Sequence, residues 1–169
     1  IGSTNTSTIT MPNGKLSGQN FPAWFINLSA DQNGVTDNVA TKVQYNSVEI
    51  DTDSMYDNTT NYRITIPSGK AGKYYVQAQV FGNHGNSSNV NRIITYLQKN
   101  GNTFAFTFFD FRDNPIKKAG VNCSAIIDCA AGDYLEVLGF VDTVNNQGVQ
   151  FMGDSVSRES WFQGYRIGA

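Results

Sequence analysis

Charge is scarce and nearly balanced: 12 Lys and Arg stand against 14 Asp and Glu in 169 residues, a formal net charge of −2. A chain this close to neutral carries no electrostatic footprint for nucleic acid or anionic lipid. Histidine occurs once, at His84, and cysteine twice. That is too little His and Cys for a zinc or redox site, and the CxxC spacing is missing. The apolar stretches fall well short of the roughly 18 residues that read as a membrane helix. No signal or transit pattern follows Ile1, so the chain reads as processed or as the ordered part of a longer one. No segment holds a helical period over three turns. Nor do nucleophile, base and orienting group come together in one constellation. The expectation is a protein that is not an enzyme and carries no cofactor and no metal.

Aromatic content is high at 12%, too high for a disordered chain, and 169 residues suit one domain. Polarity comes from Asn, Ser, Thr, Gln and Gly instead of charge, the usage of an extracellular or virion surface. Residues 1–21 are rich in Ser, Thr, Asn and Gly, and read as an N-terminal connector or arm ordered by contact with something else. From residue 22 to 169 short alternating segments are divided by turn signals every 8–15 residues or so. Strands are predicted near 22–30, 39–46, 61–67, 72–82, 90–99, 102–111, 119–129, 133–142 and 160–168. The dividers include Asp31–Gly34, Asp57–Thr60, Gly82–Asn89, Asp113–Pro115 and Asn145–Gly148. Asn100-Gly101 is the strongest hairpin signal. Many short, evenly spaced strands predict a sandwich, barrel or jelly roll.

Two strands carry more than topology. In Thr103–Phe111, strict alternation sends Phe104, Phe106 and Phe108 one way and Phe109 and Phe111 the other. In Lys73–Phe81, one face is Tyr74, Val76, Ala78 and Val80, and the other Tyr75, Gln77, Gln79 and Phe81. A monomeric sandwich keeps one face of each strand wet, so aromatics on both faces read as a strand with a second apolar neighbour, such as another subunit, or as one capped by a long loop. Tyr75, Gln77, Gln79, Phe109 and Phe111 are the candidate interface residues. Cys123 and Cys129 share a strand face but stand about 20 Å apart at about 3.3 Å per residue. They read as buried free thiols, since a disulfide needs Cα atoms within about 7 Å.

Four motifs follow in order: Tyr45-x5-Asp51-x4-Tyr56; Gly72-x-Tyr74-x-Val76-x-Ala78; Gly132-Asp133-Tyr134-Leu135-x-Val137; and Ser160-Trp161-Phe162-Gln163-Gly164-Tyr165-Arg166-Ile167. Together they resemble the complement C1q / tumour necrosis factor-like domain over about residues 22–169. Val76 and Ala78 stand where that pattern has aromatics, and the stretch from Tyr56 to Gly72 is three residues longer. The resemblance implies an all-β, ten-strand jelly-roll β-sandwich that assembles as a compact homotrimer. Residues 1–21 hold none of the Gly-x-y triplets of the vertebrate members. The run Asp31–Asn38, followed by Thr41–Tyr45, resembles versions in structural proteins of bacteriophages of marine and cyanobacterial hosts, on tail fibres or capsid surfaces.

Rigid β scaffolds bind through loops, so Asn83, His84, Asn86, Asn145, Asn146 and Gln147 are the candidate receptor or partner residues. Asp51, Asp53, Asp57 and Asn58 cluster as calcium ligands do, but they lack the glycine and terminal Glu of an EF-hand loop and read as Asx turns. Asp110, Arg112 and Asp113 read as a turn with local ion pairing. The expected function is a trimeric virion surface module, a tail-fibre head or capsid-attached protein. It would bind other virion proteins through its arm and a host-cell glycan or protein through its loops. The alternatives are a secreted recognition module and a surface-filament subunit.

Overall fold

The structure is a computed structural model that describes residues 21–85, 87–146 and 148–168. The expected arm lies outside the described residues, apart from Phe21. Thirteen strands run through the described residues: β1 (Ala23–Asn27), β2 (Ala30–Val35), β3 (Thr41–Lys42), β4 (Ser47–Asp51), β5 (Tyr56–Asp57), β6 (Arg63–Thr65), β7 (Gly72–Asn83), β8 (Val90–Lys99), β9 (Asn102–Asp110), β10 (Lys118–Cys129), β11 (Tyr134–Thr143), β12 (Val149–Asp154) and β13 (Trp161–Gly168). They form two antiparallel sheets. In one, β7 is flanked by β10 on one side and by β12 and β13 on the other. The order continues from β12 to β2, and from β13 to β1 and β4. The other sheet runs β5-β6-β11-β8-β9, with β3 also paired to β11. The all-β sandwich is therefore as the sequence reads.

The period-2 pattern places the core between the sheets. Tyr74, Val76, Ala78 and Val80 of β7 are fully buried, as expected for the apolar side of an alternating strand. Trp24 and Phe162 meet edge to face with centroids 5.4 Å apart, and Tyr45 stacks on Phe162 at 6.2 Å. Cys123 and Cys129 are free and buried. At the β8–β9 turn Asn100 and Gly101 have φ of 52° and 77°, the two positive values a type I′ hairpin requires.

The structure departs from the sequence reading in four places. Asp31–Gly34 is not a turn but most of β2, because its turn-forming side chains are held by distant partners. The amide of Gly153 donates to Asp31 Oδ1 at 2.9 Å, and Gln32 bonds both the carbonyl of Lys42 and the amide of Gln44. The stretch 39–46 keeps only β3, with Val43 and Tyr45 buried as anchors beyond it. β4, β5 and β12 were not anticipated, although Phe151 of β12 is completely buried. In β9 the alternation is broken by a register shift that pairs Leu97 with Ala105 but Gln98 with Thr103. Phe104 is the extra residue of this bulge and packs against the core.

Candidate functional site

The seven-stranded sheet turns an outer face away from the core, and the pairing register lines up its side chains. One row crosses it from Ile126 through Tyr75 and Tyr165 to Ala23. The Tyr75 and Tyr165 rings lie 5.6 Å apart, and Ile126 and Tyr165 are 65% and 50% exposed. The next row is Ser124, Gln77, Gln163, Phe25 and Ile50. Here Gln163 donates to Gln77 Oε1 and Gln77 donates to Asn122 Oδ1, both at 2.9 Å. Gln79 donates to the carbonyl of Glu159 at 2.8 Å. The glutamines are thus fixed to each other and to the backbone, and the tyrosines and Ile126 form an apolar strip beside them. Of the predicted interface residues, Tyr75, Gln77 and Gln79 share this face; Tyr165 and Ile126 belong with them and were missed.

Phe109 and Phe111 do not lie on that face. Phe109 pairs with the buried Ile93 on the core-facing side of β9, at the open edge, and is 47% exposed. Phe111 stands beside it, 6.0 Å away edge to face, and packs against the core. The assignment of Phe111 to a free face is therefore corrected: the bulge at Phe104 resets the alternation. The outward rings of β9 are Phe106 and Phe108, 6.4 Å apart and stacked. β9 and β10 are the edge strands of their sheets and lie at the same side of the sandwich, with Cys123 of β10 buried.

The predicted loops come together at one end. The ring Nδ1 of His84 is 3.1 Å from the carbonyl oxygen of Gly148, and the amide of Val144 donates to the carbonyl of Asn89 at 2.9 Å. The His84 amide also reaches the Lys117 carbonyl. Asn145 and Asn146 are exposed at the tip, Asn146 with φ of 49°. Asn83 is corrected: it ends β7, is buried, and donates to Gln150 Oε1 at 3.1 Å. Asn86 and Gln147 lie outside the described residues.

No family model and no curated protein matches the sequence. Solved structures do match. The globular domain of zebrafish complement 1qA aligns over 86% of this chain and 97% of its own, with 14% identity and a TM-score of 0.54. Murine APRIL aligns over 87% and 99% with 8% identity and a TM-score of 0.60. The Eiger TNF of S. frugiperda aligns over 88% and 93% with 15% identity and a TM-score of 0.58. The fold is the C1q/TNF-like jelly roll.

Each motif of the sequence has a job in this jelly roll. The Tyr56 hydroxyl donates to the Tyr45 carbonyl at 2.8 Å, and the Asp51 carboxylate accepts the amides of Met55 and Tyr56. Asp57 accepts the backbone amides of Thr60 and Thr59 and the side-chain amide of Asn61, bonds that hold its carboxyl well below the usual range. Asp57 thus has the geometry of an Asx turn, whereas Asp51 reaches amides four and five residues on and Asp53 pairs with Lys70. Gly72 has φ of 146°, and a Cβ there would stand 2.2 Å from the Gly168 carbonyl oxygen. In the closing strand Ser160 Oγ accepts the Phe81 amide at 3.0 Å. The Arg112 guanidinium forks onto Asp110, as the local ion pairing predicts, and holds that carboxyl at about 2.

Proposed function

We propose that this jelly roll is a non-enzymatic, homotrimeric surface module of a virion, a tail-fibre head or capsid-attached protein with structural and receptor-binding roles. The observation that carries self-association is the exposed row of Ile126, Tyr75 and Tyr165 across a sheet whose other face already fills the core. A row of this kind is an interaction surface by composition. The open β9–β10 edge, with Phe109, is a second and different apolar surface on the same chain. Contact between unlike surfaces is heterologous and closes into a ring when the rotation allows. The trimer that the sequence resemblance implies is such a ring.

The virion placement is supported by the resemblance of the Asp31–Tyr45 run to versions in structural proteins of bacteriophages. Residues 1–21 would then join other virion proteins, and the His84–Gly148 rim would meet a host-cell glycan or protein. The alternative of a secreted recognition module is favoured by the complement and TNF proteins among the structural neighbours. Light scattering of the full chain at micromolar concentration tests the assembly. The expected mass is three times the 18.5 kDa of one chain, and a stable monomer overturns the proposal. Replacing residues 84–88 and 144–148, which leaves the buried strand ends Asn83 and Thr143 in place, with short Gly/Ser turns tests the rim: the trimer mass stays and adsorption to host cells falls.

A further inference from the structure

The corrected strand β2 creates a feature that the loops and the assembly face do not use. A cleft of about 370 Å³ opens between β2, the segment after β3, and the turn at Tyr62. Its volume is within the roughly 300–1,000 Å³ of small-ligand sites, but its lining is far more polar than most. Asp31, Gln32, Gln44, Asn46 and Tyr62 line it, with Leu28 as an apolar wall. It sits at the β2 and β3 margins of the two sheets, across the sandwich from the β9–β10 edge.

The scaffold of the cleft is tied down. Gln32 staples it by donating to the Lys42 carbonyl at 2.9 Å and accepting the Gln44 amide at 2.8 Å. Asn46 Oδ1 accepts the Ser29 amide at 2.9 Å, and Asp31 Oδ1 accepts the Gly153 amide at 2.9 Å. These bonds leave a specific set of groups uncommitted among the described residues. They are the second oxygen of Asp31, the side-chain carboxamide of Gln44, Nδ2 of Asn46 and the hydroxyl of Tyr62. Tyr62 itself is held at φ of 50°, a value few bulky residues adopt.

We propose that this cleft binds one neutral hexose or N-acetylhexosamine unit. A carboxylate oxygen accepts from sugar hydroxyls, and the two amides supply both donors and acceptors for their neighbours. The negative face of the Tyr62 ring suits the positively polarised C–H face of a pyranose. The lining holds no Lys or Arg and its one charge is the Asp31 carboxylate, so anionic sugars and phosphates are repelled. This adds a second, glycan-specific site, apart from the His84–Gly148 rim, to the recognition role proposed above and rests on that reading. With little apolar area each site is weak, and three copies on one trimer would act by avidity.

Saturation-transfer and chemical-shift NMR on the full chain test it. The probes are the methyl glycosides of glucose, galactose, mannose and N-acetylglucosamine, with methyl sialoside as the anionic control. The expected result is millimolar binding of at least one neutral glycoside, with shifts at residues 31, 44, 46 and 62 and none from the sialoside. Gln44→Ala and Tyr62→Ala, two side chains outside the core, should each weaken that binding about tenfold with the spectrum of the fold retained. Asp31→Asn keeps the bond to Gly153 and should weaken it likewise. Absence of neutral binding, binding unchanged in all three variants, or equal binding of the sialoside overturns the proposal. The assay reads single sites, so a trimer that binds no glycoside sinks this inference and leaves the assembly standing.

Discussion

The hydroxyl of Thr95 reaches from one sheet into the ladder of the other, donating to the carbonyl of Val121 at 2.7 Å and accepting the amide of Val80 at 3.3 Å. Val80 and Val121 face each other in the β7–β10 pairing, so a side chain of β8 sits within a backbone pair of the opposite sheet. Thr95 is completely buried, and its bonds join the two layers at their centre.

Thr95→Val keeps the shape and removes the hydroxyl, leaving a buried carbonyl and amide with one partner fewer. The expected loss is about 1–3 kcal/mol, read as a lower urea midpoint at unchanged slope. Thr95→Ser restores most of it. Equal midpoints for the Val variant and the wild type would show that the Val80–Val121 pair is complete without Thr95.

Gly164 lies under Trp24. A Cβ at 164 would stand 2.4 Å from Trp24 Cζ2 and 2.8 Å from the Tyr75 carbonyl oxygen, and the indole has the core packed around it. Gly164→Ala should cost about 1–3 kcal/mol by overpacking. Gly148→Ala, with nothing within 4 Å of the added carbon, should stay within about 0.5 kcal/mol. Thermal denaturation of the two variants side by side checks the contrast.

The contrast between what the sequence revealed and what it hid follows the range of the interactions. Asn100-Gly101 was legible because its positive φ values are a local demand met by local residues. The buried and open sides of β7 were legible because period 2 survives wherever a strand is regular. Asp31–Gly34 was not, since β2 is held by Gly153, Lys42 and Gln44, all distant in sequence. Neither was the bulge at Phe104, which turns one ring to the core without a Gly or Pro to mark it. The same limit applies to the sites. Tyr75, Gln77 and Gln79 could be read from their strand alone, but Ile126 and Tyr165 join them only through register. Asn83 looked like a loop residue until its partner Gln150 was placed.

Acid should weaken the fold through Asp133. Its carboxylate binds the Lys99 ammonium at 2.7 Å, Asn100 Nδ2 at 2.7 Å and the Ala130 amide at 2.8 Å. Lys99 and these donors pull it down from 3.8 to about 2. A carboxyl depressed on folding stabilises above its unfolded value, and that contribution is lost as pH falls from about 4 towards 2. Urea midpoints should therefore drop across this window, and Asp133→Asn should flatten the drop without abolishing it, since Asp110 and Asp154 are also lowered. A slope identical to the wild type would remove Asp133 from the acid response.

Cys123 and Cys129 should react only after unfolding. Both are buried, and burial pushes the Cys129 thiol up to about 11, so little thiolate forms at neutral pH. Thiol titration without reductant should find two thiols per denatured chain and almost none in the native protein within minutes. Rapid native reaction would mean that the β10 edge opens.

The last prediction separates two apolar surfaces that could each hold a neighbour. Tyr165, with Tyr75 and Ile126, lies on the outer face of the seven-stranded sheet; Phe106, 57% exposed, lies with Phe108 on the outer face of the other. The proposed trimer uses the first, together with the β9–β10 edge, and leaves the second to solvent. An aspartate at either position is exposed in the isolated chain, so neither variant should unfold a monomer. Within an assembled contact the same carboxylate is desolvated without a partner, at a cost of several kcal/mol. Tyr165→Asp should therefore reduce the solution mass to that of one chain with its circular dichroism unchanged, and Phe106→Asp should leave the trimer intact. The reverse result would move assembly to the six-stranded sheet, and dissociation by both would mean that Phe106 is drawn into the contact along with the β9 edge.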